Sequence, residues 1–364
     1  MFSNESARQA DNCRFCWMCR HICPVAGATG SEGWTPRARG LMVSMIERGT
    51  PYDGEIAEAM YHCSMCDACA NDCVTGFRPT DFIREARMLA VVGNFAPAAV
   101  MKEINNITEK GNIYGLPEDP ALTEALASLP TQAETLLYIG QSGRTVAADT
   151  ALAVYSLLKK AGLSFTALRQ EPPTGAFLTD LMGATGDVQA AAARAAEAIR
   201  ASGARRVLVL SPYDAVMLRD SYSQWGLLPG VEVVTVTAAL AALIRDGKLR
   251  CTTTGIRASL QEPVKLTRGL EEEQPLLDIL AALGVDYIPL FLHGKMARCV
   301  GTPLLAGYDP GVVRRMVEVR LDDARRLGSP IILTASPDDA YVMRMTPAED
   351  VAVKDLFTLL NEHC

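Results

Sequence analysis

Cys13-Arg14-Phe15-Cys16-Trp17-Met18-Cys19-Arg20-His21-Ile22-Cys23-Pro24 and, fifty residues on, Cys63-Ser64-Met65-Cys66-Asp67-Ala68-Cys69-Ala70-Asn71-Asp72-Cys73 share one spacing, C-x2-C-x2-C-x3-C. Three thiolates on so short a turn can reach three irons of one cubane. The fourth iron then needs a ligand from elsewhere, and in runs of this kind the fourth cysteine serves the other cluster. The spacing therefore predicts two [4Fe–4S] clusters. One would be held by Cys13, Cys16, Cys19 and Cys73, the other by Cys63, Cys66, Cys69 and Cys23. Crossed ligation would tie the two segments together and couple cluster insertion to folding.

Zinc is the competing reading. It favours C-x2-C pairs closing a single tetrahedral site, whereas here a group of four recurs with an extra residue before the last cysteine. His21 and His62 adjoin the ligands but are not needed by them, and read as packing or supporting residues. Arg14, Arg20, Arg37, Arg39 and Arg84 can offset the negative charge of thiolate-bound clusters. Val74 stands where the first group has Pro24.

Outward from these groups the chain reads as helical to residue 92. Thr35 is a candidate N-cap with Pro36 at the first helical position, and Gly49 and Pro51 stop that helix. Further helices are expected at 54–62 and 80–92. Residues 93–130, punctuated by Gly111, Gly115, Pro117 and Pro120, read as a connector. From 131 to 364 short apolar runs alternate with helices, the pattern of an α/β domain with largely parallel strands. That domain contains an internal duplication. Val207-Leu208-Val209-Leu210-Ser211-Pro212-Tyr213-Asp214-Ala215 matches Ile332-Leu333-Thr334-Ala335-Ser336-Pro337-Asp338-Asp339-Ala340 at an offset of 125, and Gly203 matches Gly328 at the same offset. The fold class expected is α+β multidomain.

Composition excludes several classes. Of 364 residues, 49% are hydrophobic and 21% charged, which argues against disorder, and a net charge of −7 gives no support for nucleic-acid binding. Met1 to Asn12 is polar and lacks a secretory h-region, and no apolar run is long enough to span a membrane. Clustered rather than dispersed cysteines point to metal ligation in a reducing, cytoplasmic compartment, with peripheral membrane association through a partner left open. No P-loop and no G-x-G-x-x-G after a strand is present, so no flavin or nicotinamide site is evident.

The paired motifs followed by a duplicated α/β region resemble the iron–sulfur subunits of glycolate oxidase, of anaerobic glycerol-3-phosphate dehydrogenase and of heterodisulfide reductase. Residues 1–92 resemble an α-helical ferredoxin domain, and 131–364 a CCG domain that lacks most cluster cysteines. Gly140-Gln141, Pro173-Thr174-Gly175 and Ser211-Pro212 stand at the first set of that family's cysteine motifs. Gln261-Glu262-Pro263-Val264, Cys299-Val300-Gly301 and Ser336-Pro337 stand at the second. Only Cys299 keeps a thiol, so no cluster is expected in the second domain. Cys299 and Cys251 read as small buried hydrophobes and Cys364 as exposed and incidental. The resemblance implies a non-catalytic electron-transfer subunit, relaying single electrons between a flavoprotein dehydrogenase and a quinone or other acceptor. An iron–sulfur sensor or assembly protein is the alternative, and a stand-alone reductase with a further cofactor a third.

Overall fold

Thr35 begins the first long helix, Pro36–Glu47, as its sequence dictates: its hydroxyl accepts from the Ala38 amide at 3.1 Å, and Pro36 supplies the first helical residue. In the computed structural model, which describes residues 2–364, this helix packs with Gly54–Tyr61 and Pro79–Val92 to form the N-terminal unit. Their apolar faces meet in a small core of Val43, Met60, Met65, Phe77, Phe82, Ile83 and Ala86, and Cys13, Cys63 and Cys73 lean against it. Gly40 packs closely there: a Cβ at that position would meet the Phe77 ring at 3.0 Å.

The stretch 93–130, read as a connector, carries two helices, Ala98–Lys110 and Pro120–Ala127. The first buries Val100, Ile104 and Ile107 against the α/β region.

Eight strands follow, in two sheets: β1 Thr135–Tyr138, β2 Thr166–Ala167, β3 Arg206–Val209 and β4 Glu232–Thr235, then β5 Arg257–Gln261, β6 Asp286–Tyr287, β7 Ile331–Thr334 and β8 Ala352–Asp355. The orders are β2-β1-β3-β4 and β6-β5-β7-β8, and every pairing is parallel. The duplication holds to the residue. Val207 pairs with Leu136 on one side and Val233 on the other; its counterpart Ile332 pairs with Ser259 and Val353. Gly175 and Gly301, at matching motif positions, both take left-handed backbone with φ of 92° and 110°, a conformation that glycine alone adopts without cost. The two halves share one core: Leu137, Ile139 and Leu208 from the first meet Leu260, Leu333 and Phe357 from the second.

Two cysteines depart from expectation. Cys251 and Cys364 form a disulfide that spans 113 residues and pins the C-terminal helix Leu356–His363 to the segment before β5. Neither is a lone side chain, and Cys364 is not incidental; their separation in sequence hides a meeting that only the folded second half produces.

Candidate metal centre

The two cysteine loops have the same backbone. Phe15 and Trp17 in the first, and Met65 and Asp67 in the second, have φ of 54°, 71°, 51° and 59°. These are four of the seven non-glycine residues with positive φ among the described residues, and they occupy equivalent places between the cysteines. Such residues cost of order 1–3 kcal/mol each and persist only where the surroundings require them. Here the winding turns three consecutive thiols to one side. In each loop the amide two residues on donates to the first sulfur, Phe15 N to Cys13 Sγ and Met65 N to Cys63 Sγ, both at 3.4 Å.

The loops and the two fourth cysteines sort into two groups. Cys19 lies beside Cys13, Cys16 and Cys73. Cys69 lies beside Cys66, Cys63 and Cys23. The first group lines a cavity of about 210 Å³ together with Trp17, Arg37, Val74 and Phe77. The second lines a smaller cavity with Pro24, Arg39, Ser64 and Ile83. Cys69 stands on the wall of both. Among the described residues no three Cys, His, Asp or Glu side chains converge tightly enough for a single ion. Four thiols around each cavity are the donor set a cubane takes.

The two sites differ in cover. Cys16 is exposed and Cys13, Cys19 and Cys73 are half-buried, whereas Cys23, Cys66 and Cys69 are buried. Burial pushes the Cys23 thiol up to about 11, with Arg39 opposing it. The cover over the second site comes from the second half of the α/β domain. Lys265 Nζ donates to Met65 O at 2.6 Å and lies 3.7 Å from Asp67; Arg268 Nε donates to Cys66 O at 2.9 Å. Both cations sit on one turn of π-helix, Lys265–Gly269. Ile22, Cys66 and Ala68 pack on Val264, Ala297 and Cys299. The neighbouring Cys299 holds the Cys66 thiol below the ordinary range, and Cys66 together with burial pushes Cys299 above it. Cys299 is thus buried, as its sequence suggested, but it abuts a cluster-motif sulfur.

Of the arginines singled out from sequence, only Arg39 is buried beside the thiols, donating to the Ala59 and His62 carbonyls. Arg84 pairs with Asp180 at 3.1 Å, Arg20 with Glu32 at 3.3 Å, and Arg37 lies 3.6 Å over the Trp17 ring. Arg14 donates to Asp11 O. His62 has both ring nitrogens engaged, by Glu58 O at 3.0 Å and Asp309 at 3.1 Å, and its ring stacks on Trp34; His21 is exposed. Sequence reading missed Arg87, which is buried and donates to Met60 O, to Cys63 O at 2.8 Å and to Asp180 O at 2.6 Å. It missed Lys265 and Arg268 as well. Their one signal was a position just after Gln261-Glu262-Pro263-Val264.

Residues 9–77 match the 4Fe–4S dicluster domain family. The chain carries two [4Fe–4S] clusters. It is an iron–sulfur protein of the electron-transfer kind. Over 296 residues it is 23% identical to the EtfAB:quinone oxidoreductase of Syntrophomonas wolfei, covering 76% of this chain and 41% of that protein. Over 394 residues it is 22% identical to a probable membrane-anchored ferredoxin of Chromohalobacter salexigens, covering 95% of this chain and 58% of that protein. The chain therefore spans about half the length of these relatives. A crystal structure of a hypothetical protein from Helicobacter pylori superposes with a TM-score of 0.43 at 10% identity, over 90% of this chain and 76% of that one. Among the described residues no helix is long and apolar enough to cross a membrane.

Proposed function

We propose that the chain is a two-cluster relay between an electron-transferring flavoprotein and a quinone-linked acceptor. Cys13, Cys16, Cys19 and Cys73 would hold the outer cluster, and Cys63, Cys66, Cys69 and Cys23 the inner one. The observation that carries this reading is the pair of adjacent thiol-lined cavities, with Cys69 on the wall of each and the more buried cysteines around one of them. The clusters supply one-electron storage. The protein's part is to hold them side by side, keep water from the inner one, and compensate its charge with Arg39, Lys265 and Arg268. A two-electron flavin donor would deliver its electrons singly, and a quinone acceptor would take up two electrons and two protons.

The flavoprotein and quinone partners come from the name of the Syntrophomonas wolfei relative. A membrane association would come through a partner, as the name of the Chromohalobacter salexigens relative suggests. The domain division at residues 92 and 131, and descent of the α/β halves from a cysteine-bearing CCG domain, belong to the same proposal. The stand-in residues favour the latter. Ser211-Pro212 and Ser336-Pro337 follow β3 and β7 at equivalent places, and Cys299 is the one thiol among the motif positions of both halves.

Anaerobic purification with iron and sulfide analysis tests the core of this. Eight irons per chain and two cubane signals on reduction are expected. Crossed ligation predicts that Cys23→Ser perturbs the inner cluster with Cys66 and leaves the outer one intact, and that Cys73→Ser does the reverse. Loss of the outer cluster in Cys23→Ser would refute the assignment.

A further inference from the structure

Because the loops repeat at an offset of fifty residues, each residue near one cluster has a counterpart near the other, and the two sides can be compared directly. Around the inner loop the counterparts are covered. Met65 is 0% and Ala68 2% exposed, and Pro24 opens the helix Pro24–Thr29, which packs on Pro310–Leu327. Around the outer loop the same positions lie open. Phe15, the counterpart of Met65, is 49% exposed; Met18, the counterpart of Ala68, is 56%; Val74, the counterpart of Pro24, is 97%. Trp17 is exposed too, held face-on by Arg37. The apolar ground continues along the helix Pro36–Glu47, where Leu41 and Met45 follow Arg37 at four-residue steps and are exposed. Six of the eleven large apolar side chains exposed among the described residues lie on this one face. Contiguous apolar ground of this kind, with aromatic anchors, marks an interaction surface.

Resting on the relay reading above, we propose that this face, Phe15, Trp17, Met18, Val74, Leu41 and Met45, is where the flavoprotein docks, making the outer cluster the port for electrons. The covered side shows what the occupant must bring. There the cover is protein: it supplies apolar contacts from Val264 and Ala297, and two cations, Lys265 and Arg268, onto the Met65 and Cys66 carbonyls. On the open side no side chain among the described residues donates to Phe15 O or Cys16 O, the equivalent carbonyls. The docking surface of the partner therefore combines an apolar patch with one or two lysine or arginine side chains. A lipid surface offers no ordered cations for those carbonyls.

The test measures affinity of the anaerobic holoprotein for an electron-transferring flavoprotein by calorimetry, and the rate of cluster reduction by that flavoprotein in stopped flow. Val74→Asp is expected to weaken binding and slow reduction by at least about tenfold, the effect of losing one interface anchor. Leu41→Asp, whose side chain lines neither thiol cavity, should do the same, and serves should Val74→Asp lower the iron content. Phe291→Ser, exposed elsewhere, should change neither. Unaltered affinity in both aspartate variants overturns the docking face. So does a wild-type protein whose clusters cycle with methyl viologen but which binds no flavoprotein, and so does Val74-dependent binding to phosphatidylglycerol vesicles. If methyl viologen fails to cycle the clusters, the relay reading falls on its own, while the affinities still decide the face.

Discussion

Lys265 links the α/β domain to the inner cluster by charge, and removing that charge has a calculable effect. Its ammonium is buried and donates to Met65 O at 2.6 Å, inside the loop that carries Cys63, Cys66 and Cys69. For an assumed separation of roughly 7 Å and an effective dielectric constant of about 20, one unit charge would contribute about 2.4 kcal/mol to holding an added electron. For a one-electron couple, at 59 mV for each tenfold change, that is about 100 mV. Lys265→Met should therefore lower the inner-cluster potential by about 100 mV and leave the outer one within a few tens of millivolts. Asp67 complicates the single variant. Burial pushes its carboxyl up, but Lys265, with Arg84, Thr80 and Arg78, outweighs burial and holds it below the usual range. Without Lys265 its charge is less compensated and pushes the potential further down. Lys265→Met/Asp67→Asn removes both charges and should recover part of the drop. Redox titration followed by low-temperature EPR reads the two clusters separately. Equal shifts in both, or no shift in either, would refute the placement of Lys265 on the inner cluster.

Other perturbations follow from single contacts. Arg87→Met leaves the Met60, Cys63 and Asp180 carbonyls without their donor; with this charge fully buried the loss should be about 3–5 kcal/mol, read as a lowered denaturation midpoint. Glu103 is buried with neither carboxyl oxygen hydrogen-bonded, and burial raises its pKa to about 9. The folded chain then holds a proton that the unfolded chain releases near its ordinary value of 4.5, so this residue's contribution to stability falls from there up to about pH 9. Glu103→Gln should flatten that decline and be more stable than wild type at pH 8, by about 1.4 kcal/mol for each pH unit traversed. Equal pH slopes in the two proteins would count against it. Cys364→Ser opens a cross-link spanning 113 residues, and should lower non-reducing stability by about 2–4 kcal/mol. Wild type in dithiothreitol should then match the variant.

The metal motifs were legible because their information is local: spacing alone separates a cubane from a zinc site. Helix ends marked by Thr35-Pro36, Gly49 and Gly203 were legible for the same reason. The helix Ala98–Lys110 was missed although Val100, Ile104 and Ile107 carry its period, because Gly111, Gly115 and the prolines nearby signal a break more strongly than three apolar residues signal a face. Strands β2 and β6 have two residues each and carry no pattern to read. The meetings of Lys265 with Met65 and of Cys251 with Cys364 depend on how distant segments pack, and no local rule encodes them.

The unequal cover of the two loops explains how the α/β domain bears on the redox chemistry. A symmetric pair of exposed loops would place both clusters in similar solvent and give electrons no direction. Here Lys265, Arg268, Val264, Ala297 and Cys299 all reach the inner loop, and their counterpart ground on the outer loop is left open. Burial alone would make the inner cluster harder to reduce, because an added negative charge is poorly solvated there. The two cations on its carbonyls oppose that cost. The domain thus acts on the inner cluster twice, excluding water and returning charge, and the balance of those effects sets the step between the clusters. Lys265→Met and Arg268→Gln weaken only the second effect and should move the inner potential in one direction, downwards. A rise in either variant would mean that burial is not the cost these cations offset.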